Sequence, residues 1–529
     1  MNRNALTLGI LLLLVNICLF AQEEKIGDVS DGNRARPVHL IKLIDHDSSI
    51  VEMDDQPMMP FSTEYTCGSC HDYKKISHGW HFNAGTADVQ DGRPGHPWIY
   101  FDQQSSTQIP VSLRSWSGTY KPEQIGLSPL NFYRLFGRHM PGGGLAEVDS
   151  IRWVQNAFRW MVSGDLEINC LTCHDAEFSN DHAEYASQTG RENFRWAATA
   201  ASGIAAVEGS ARDMPDTYDI YSGASSDIPG KVAPRAFYDK SRFNRKSEVF
   251  LKITRKVPDE NCYFCHSTQS MNPDNKERWH SNGDVHLNAG MACVDCHRHG
   301  LDHQMTRGGK NEASEPVTAS LTCEGCHLGE TPLTGKSGAP RPDHAGIPPV
   351  HFEEMTCTSC HSGQWPVADV QRVKTSSAHG LGMHGIVKSP TMLPHIASPV
   401  FVENDRAQIE PRNLIWPAFW ARLDGDSLVP ANIDLVKAVT AVIVINDDTL
   451  HTGNWLKLST DDIARITDSL TVANGNQGIF GYIGGGYLYR RNEQGQVIRQ
   501  DHPAAQPYSW AIAHDVRPAR QALGVNGCA

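Results

Sequence analysis

The sequence predicts a mainly α fold with much irregular loop and a mixed α/β segment at its C-terminal end. Three observations predict it. Units of two cysteines and a histidine, each about one helical turn long, recur up to residue 361. The stretches between them are rich in proline and glycine, as in "DGRPGHPW" (91–98), "MPGGGLAE" (140–147) and "LGETPLTGKSGAPRPDHAGIPPVHF" (328–352). After residue 395 the units cease and regular patterns take over.

The chain opens "MNRNALTLGILLLLVNICLFAQEEK". Arg3 gives a positive start, Leu6 to Phe20 is almost wholly apolar, and Leu19-Phe20-Ala21 offers a cleavage site. Residues 1–21 therefore read as a signal peptide. The apolar run is shorter than the roughly 20 residues of a spanning helix. Cys18 follows Ile17, which is too large for a lipoprotein signal. The expected protein is exported, periplasmic or extracellular, with no membrane span after signal removal. Its net charge of −13 argues against nucleic acid and suits docking to basic patches on a partner.

Twelve of the 14 cysteines form six units of one shape. They are "CGSCH" (Cys67, Cys70, His71), "CLTCH" (Cys170, Cys173, His174), "CYFCH" (Cys262, Cys265, His266), "CVDCH" (Cys293, Cys296, His297), "CEGCH" (Cys323, Cys326, His327) and "CTSCH" (Cys357, Cys360, His361). Composition alone would give roughly 0.02 such units. A disulfide framework or a zinc ribbon needs paired cysteines but no histidine fixed after each second one. On an exported chain, repeated C-x-x-C-H predicts covalent attachment of c-type haem. Residues three and four apart share a helix face. Both thiols then reach the two vinyl groups of one porphyrin while the proximal histidine reaches its iron. Six haems c are expected.

Each iron has a sixth position, and its occupant sets potential and reactivity. Nineteen of the 25 histidines lie outside the units, a surplus that favours bis-histidine sites of low potential. His286 and His351 each shortly precede a unit and are expected as distal ligands. His303 is preferred to His299 after "CVDCH", and His81 to His78 in "HGWHF". His139 stands beside glycines that allow close approach to a flat ring. His344 and His379 complete the preferred set, with His280 and His384 as further candidates. His39, His46, His451 and His502, far from any unit, read as structural or surface residues.

The spacing divides the chain. Residues 22–250 carry two haem sites about a hundred residues apart. Residues 251–395 hold four, about one per 30 residues, too few to build four separate cores. Porphyrins must supply much of the apolar surface there, so the haems are expected to stack. "SGASSDIPGKVAPRAF" (222–237) reads as a linker before this module. Residues 396–529 are haem-poor. "STDDIARITDSLTVA" predicts a capped helix and "GYLYRRNEQGQVIRQD" a hairpin turning at Glu493-Gln494-Gly495.

With these units in view, the chain resembles the exported multihaem cytochromes c of respiratory electron transfer. "CGSCHDYKKISHGWHF" and the crowded later units are similar to the octahaem tetrathionate-reductase-like group, over roughly residues 60–370. The resemblance implies chains of mostly bis-histidine haems that pass electrons between neighbours. Two departures stand out: six units rather than eight, and no C-x-x-C-K.

Three functions fit. One is an electron carrier with every iron closed by two protein ligands. Another is a reductase of a small sulfur or nitrogen compound at one open haem. A third is a filament-forming extracellular cytochrome. The histidine surplus favours the first or the third; electron transfer is the expectation, and no catalytic residues stand out. Lys74 and Lys75 beside the first unit read as a solvated pair. Cys528, in "GVNGCA", leaves two readings: a seventh unit cut short, with His514 a distal candidate, or a terminal cysteine that is stray or paired between molecules.

Overall fold

The computed structural model describes residues 39–83, 91–143, 157–222, 228–266, 268–271, 277–280, 283–305, 322–328, 338–363, 371–375, 382–383, 386–387, 396–425, 427–442 and 458–522. The expected signal peptide, His379, His384 and Cys528 lie outside them.

The mainly α expectation is corrected. Among the described residues, helix accounts for 32% and strand for 21%, and the strands build two large antiparallel sheets. The first joins β1 (Thr268–Met271), β2 (Glu277–His280), β3 (Gln371–Thr375), β4 (Ile396–Glu403) and β5 (Ile409–Ile415) to a late strand, Tyr508–Ala511. Its order is Tyr508–Ala511, β5, β4, β3, β1, β2, so the sheet runs across the boundary expected near residue 395. The second joins β6 (Phe419–Asp424), β7 (Ser427–Pro430), β8 (Ile479–Gly484), β9 (Tyr487–Arg491) and β10 (Val497–Gln500) in the order β7, β6, β8, β9, β10.

The second sheet is buried on both faces, which hides the period of two expected of a half-buried strand. Along β6, Phe419 and Ala421 enter one core with Ile109, Tyr133 and Phe194, while Trp420 enters another. That second core packs under the helices Ile433–Thr440 and Thr460–Ala473 through Val436, Ile463, Ile466 and Leu470. The longer helix starts where expected, on a capping box between Ser459 and Asp462. The expected hairpin is β9 paired with β10.

Residues before 260 build a third core. Leu43, Val51, Phe61, Trp196, Ile204, Tyr238 and Val249 close it, and the strand Leu40–Lys42 pairs with Glu248–Phe250. The end of the expected linker is itself a strand, Arg235–Tyr238, paired with Ala205–Glu208. Buried Glu192 ties this half together, taking Arg134 Nε at 2.9 Å, Arg159 Nε at 3.1 Å and Arg212 Nε at 3.3 Å. Among the described residues no helix is long and apolar enough to cross a membrane.

Candidate haem centres

Six short helices carry the units: α1 (Thr63–Gly68), α2 (Leu171–His174), α3 (Asp259–His266), α4 (Cys293–Cys296), α5 (Cys323–His327) and α6 (Cys357–His361). Each turn sets its cysteines three apart on one side, as attachment requires. No disulfide joins any of the twelve unit cysteines.

The first two helices are tied by one buried carboxylate. Glu167, three residues before Cys170, reaches the N-terminus of α1. It accepts hydrogen bonds from Ser62 Oγ (2.6 Å), Thr63 N (2.6 Å), Thr63 Oγ1 (3.0 Å) and Glu64 N (3.3 Å), and meets His46 Nε2 at 3.2 Å. Burial alone would raise its pKa. The His46 imidazole, the Ser62 hydroxyl and the Glu64 N–H outweigh burial and hold the carboxyl below its usual range. This clasp sets the Cys67 and Cys170 thiols beside each other, and their mutual interaction raises Cys67 and lowers Cys170.

Similar ties continue along the series. Asn261 Nδ2, on α3, donates to Cys173 O (2.8 Å) and Asp175 O (3.1 Å) at the end of α2. Cys293 N, on α4, donates to Asp259 Oδ1 on α3 (2.7 Å). The thiols follow the same order. Cys262 raises the neighbouring Cys293 thiol, and the thiols of Cys173, Cys296 and Cys323, raised first by burial, are raised further by Cys265, Cys326 and Cys357 respectively. Consecutive units are therefore spatial neighbours, from the first to the sixth.

Each proximal histidine faces one other histidine. Ring centroids lie 6.5 Å apart for His71 and His39, 6.2 Å for His174 and His303, and 6.1 Å for His266 and His81. They lie 5.8 Å apart for His297 and His514, 6.0 Å for His327 and His286, and 6.3 Å for His361 and His344. Two imidazoles sharing one metal through bonds of about 2.0–2.1 Å, each with a ring radius of ~1.1 Å, have centroids roughly 6.3 Å apart. The six pairs, at 5.8–6.5 Å, lie near that separation, with His297 and His514 the tightest, their Nε2 atoms 3.5 Å apart. Among the described residues no set of three or more His, Cys, Asp or Glu gathers as a metal site. A facing pair suits a group that brings its own four equatorial nitrogens and leaves two axial positions to the protein.

Protonation also fits. His174 Nδ1 lies 2.8 Å from Thr254 O, His303 Nδ1 2.8 Å from Leu301 O, His327 Nδ1 2.7 Å from Pro340 O and His361 Nδ1 3.3 Å from Arg517 O. A carbonyl only accepts, so Nδ1 carries the proton and Nε2 keeps the lone pair a metal needs. Burial pushes His81 and His303 down to about 4 and His266 to about 3, so these rings are neutral near neutral pH.

Of the histidines expected from the sequence, His81, His286, His303 and His344 each stand opposite a proximal histidine. His286 faces His327 of the following unit, not the unit it precedes. His303 reaches His174 because the loops after the first and fourth units interlock. Trp80 N donates to His303 O (3.2 Å) and Gln304 Nε2 to His78 O (2.7 Å). A Cβ on Gly79 would lie 2.5 Å from the His303 Cβ, so only glycine fits there.

Two expectations are corrected. His139 is buried between Trp98 and Phe136, and its Nε2 accepts from Arg138 Nε (3.3 Å). Of the glycines beside it, Gly142 packs on the backbone of Glu167 and Gly143 on the side chains of Phe82 and Ile168. His351 stands on the helix Val350–Glu354, and His344, turned by a left-handed φ of 47°, takes the place opposite His361. Two facing histidines, His39 and His514, were not in the preferred set. His39 leads into the strand paired with Glu248–Phe250. His514 lies on a strap after Tyr508–Ala511 whose Gly363 N–His514 O (2.8 Å) and Arg517 N–His361 O (2.8 Å) bonds tie it to the sixth unit. Lys74 and Lys75 are exposed.

Comparison with family models, curated proteins and solved structures gives no match.

Proposed function

We propose that the chain is an exported multihaem cytochrome c that carries electrons through six covalently attached, bis-histidine haems in a respiratory chain, exchanging them with other redox proteins. The observation that carries the reading is the six histidine pairs at 5.8–6.5 Å. A bound haem would supply a one-electron iron couple at each pair.

The protein's own contributions follow from its side chains. Paired cysteines would anchor a haem and the facing histidines would hold its iron between them, while backbone carbonyls orient the rings. With six closed sites, the carrier reading is favoured over a reductase with an open one. The unit-to-unit contacts support transfer in sequence order, with the first and sixth sites as the two ends.

An oxidised-state spin spectrum of the purified protein tests this. Six haems per chain, all low-spin, is the expected result. A stoichiometric high-spin fraction would point to an open site and to the reductase reading, and retained zinc without haem would overturn both.

A further inference from the structure

We propose that Asp284 is a positioning residue that makes the fifth site, between His286 and His327, the lowest-potential site of the array; this rests on the six-haem reading. His174, His303, His327 and His361 turn Nδ1 to neutral backbone carbonyls. His286 differs. Its Nδ1 lies 2.6 Å from Asp284 Oδ1, and that carboxylate is 6% exposed.

The carboxylate is held from several directions. Oδ1 also accepts from His286 N (2.9 Å), and Oδ2 accepts from Val516 N (3.0 Å) on the C-terminal strap. The strap is fixed in turn by Val285 N–Val516 O (2.8 Å) and by Gly283 N–Asp515 Oδ1 (2.8 Å). Asp284 is thus a fixed negative charge that the ring cannot turn away from.

A carboxylate on Nδ1 draws that proton toward itself and gives the ring anionic character, so Nε2 becomes a stronger donor. It also places a full negative charge behind an axial ligand, where partial burial leaves it poorly screened. Both effects favour the more positive oxidised metal over the reduced one, and a carbonyl supplies only a dipole. The fifth site would then hold an electron least readily and would sit as an uphill step next to one end of the series.

Anaerobic redox titration of the holoprotein, with haem count and spin state recorded beside it, is the test. In Asp284→Asn, with six low-spin haems retained, one component should move to higher potential while five hold, and Asp284→Glu should restore it. His286→Met identifies the fifth site independently, and the component it moves should be the lowest of the unsubstituted protein. Titrations of Asp284→Asn that superimpose on the unsubstituted protein overturn the proposal. So does a His286→Met shift in any component but the lowest, even if Asp284→Asn fails to fold. Fewer than six low-spin haems in the unsubstituted protein would instead break the six-haem reading.

Discussion

The first two units sit in polypeptide that has a core of its own, whereas the last three do not. Around α1 and α2, Leu43, Phe61, Tyr73, Ile168 and Trp196 are buried, and Glu167 clamps the two helices together. Between residues 285 and 358, by contrast, no described residue is buried. Val350 and Phe352 are about half exposed there, at 50% and 47%. A polypeptide that buries so little cannot offset the entropy of ordering itself, about 1–2 kcal/mol per residue. On the proposed reading the later units would depend for their order on the apolar faces of bound haems, and the earlier ones on protein.

The largest effect should come from withholding haem. Apoprotein made without the attachment machinery should keep slow hydrogen exchange over the cores at 40–250 and 396–522, and lose protection across 285–363. Uniform protection, read by exchange mass spectrometry, would erase the contrast.

Removing one attachment site at a time sharpens it. Cys67→Ala with Cys70→Ala should cost one haem and leave five, because the Glu167 clasp still holds the helices. Cys293→Ala with Cys296→Ala should cost the fourth haem and loosen the fifth and sixth as well, read as extra proteolysis between 322 and 363. Equal damage from both pairs would show that the two regions are built alike.

Single ligand changes come next. His39→Ala and His514→Ala should each turn one of six haems high-spin. His139→Ala and His351→Ala should leave the spectrum unchanged. A spin change in either of the latter would reverse the pairing described above.

The smallest effect concerns Glu167. Its folded pKa is below the unfolded value near 4.3. Its contribution is therefore fully present above that value and is lost as pH falls through the lower folded one. Glu167→Gln should cost roughly 1–3 kcal/mol at neutral pH and flatten the acid limb of the stability curve. An acid limb identical in both proteins would remove Glu167 from that role.

These contrasts also mark what the sequence could carry. The six units were legible because attachment chemistry fixes both residue type and spacing within five residues. The facing histidines were legible only where a loop stays near a unit, as at His81, His303 and His344. His514 stands 217 residues from His297, and nothing local in "AIAHDV" announces it. Nearness misled at His351, where a turn of helix carries the ring off and His344 stands in its place. The sheets were missed for a related reason. Phe419, Trp420 and Ala421 are all buried, so β6 shows no alternation. Pro411 within β5 reads as a break, although the strand pairs on both sides.

The strap that carries His514 sets a timetable. If the chain is exported as proposed, it would be delivered from its N-terminus, and His297 would emerge long before the segment that faces it. Until Tyr508–Ala511 docks beside β5, the fourth iron would have a vacant position, open to carbon monoxide or cyanide. The same arrival brings Val516 to Asp284 and Arg517 to His361. On the proposed reading three sites would mature together and late, in one closing event, and sensitivity to small exogenous ligands would become a clock for how far assembly has gone.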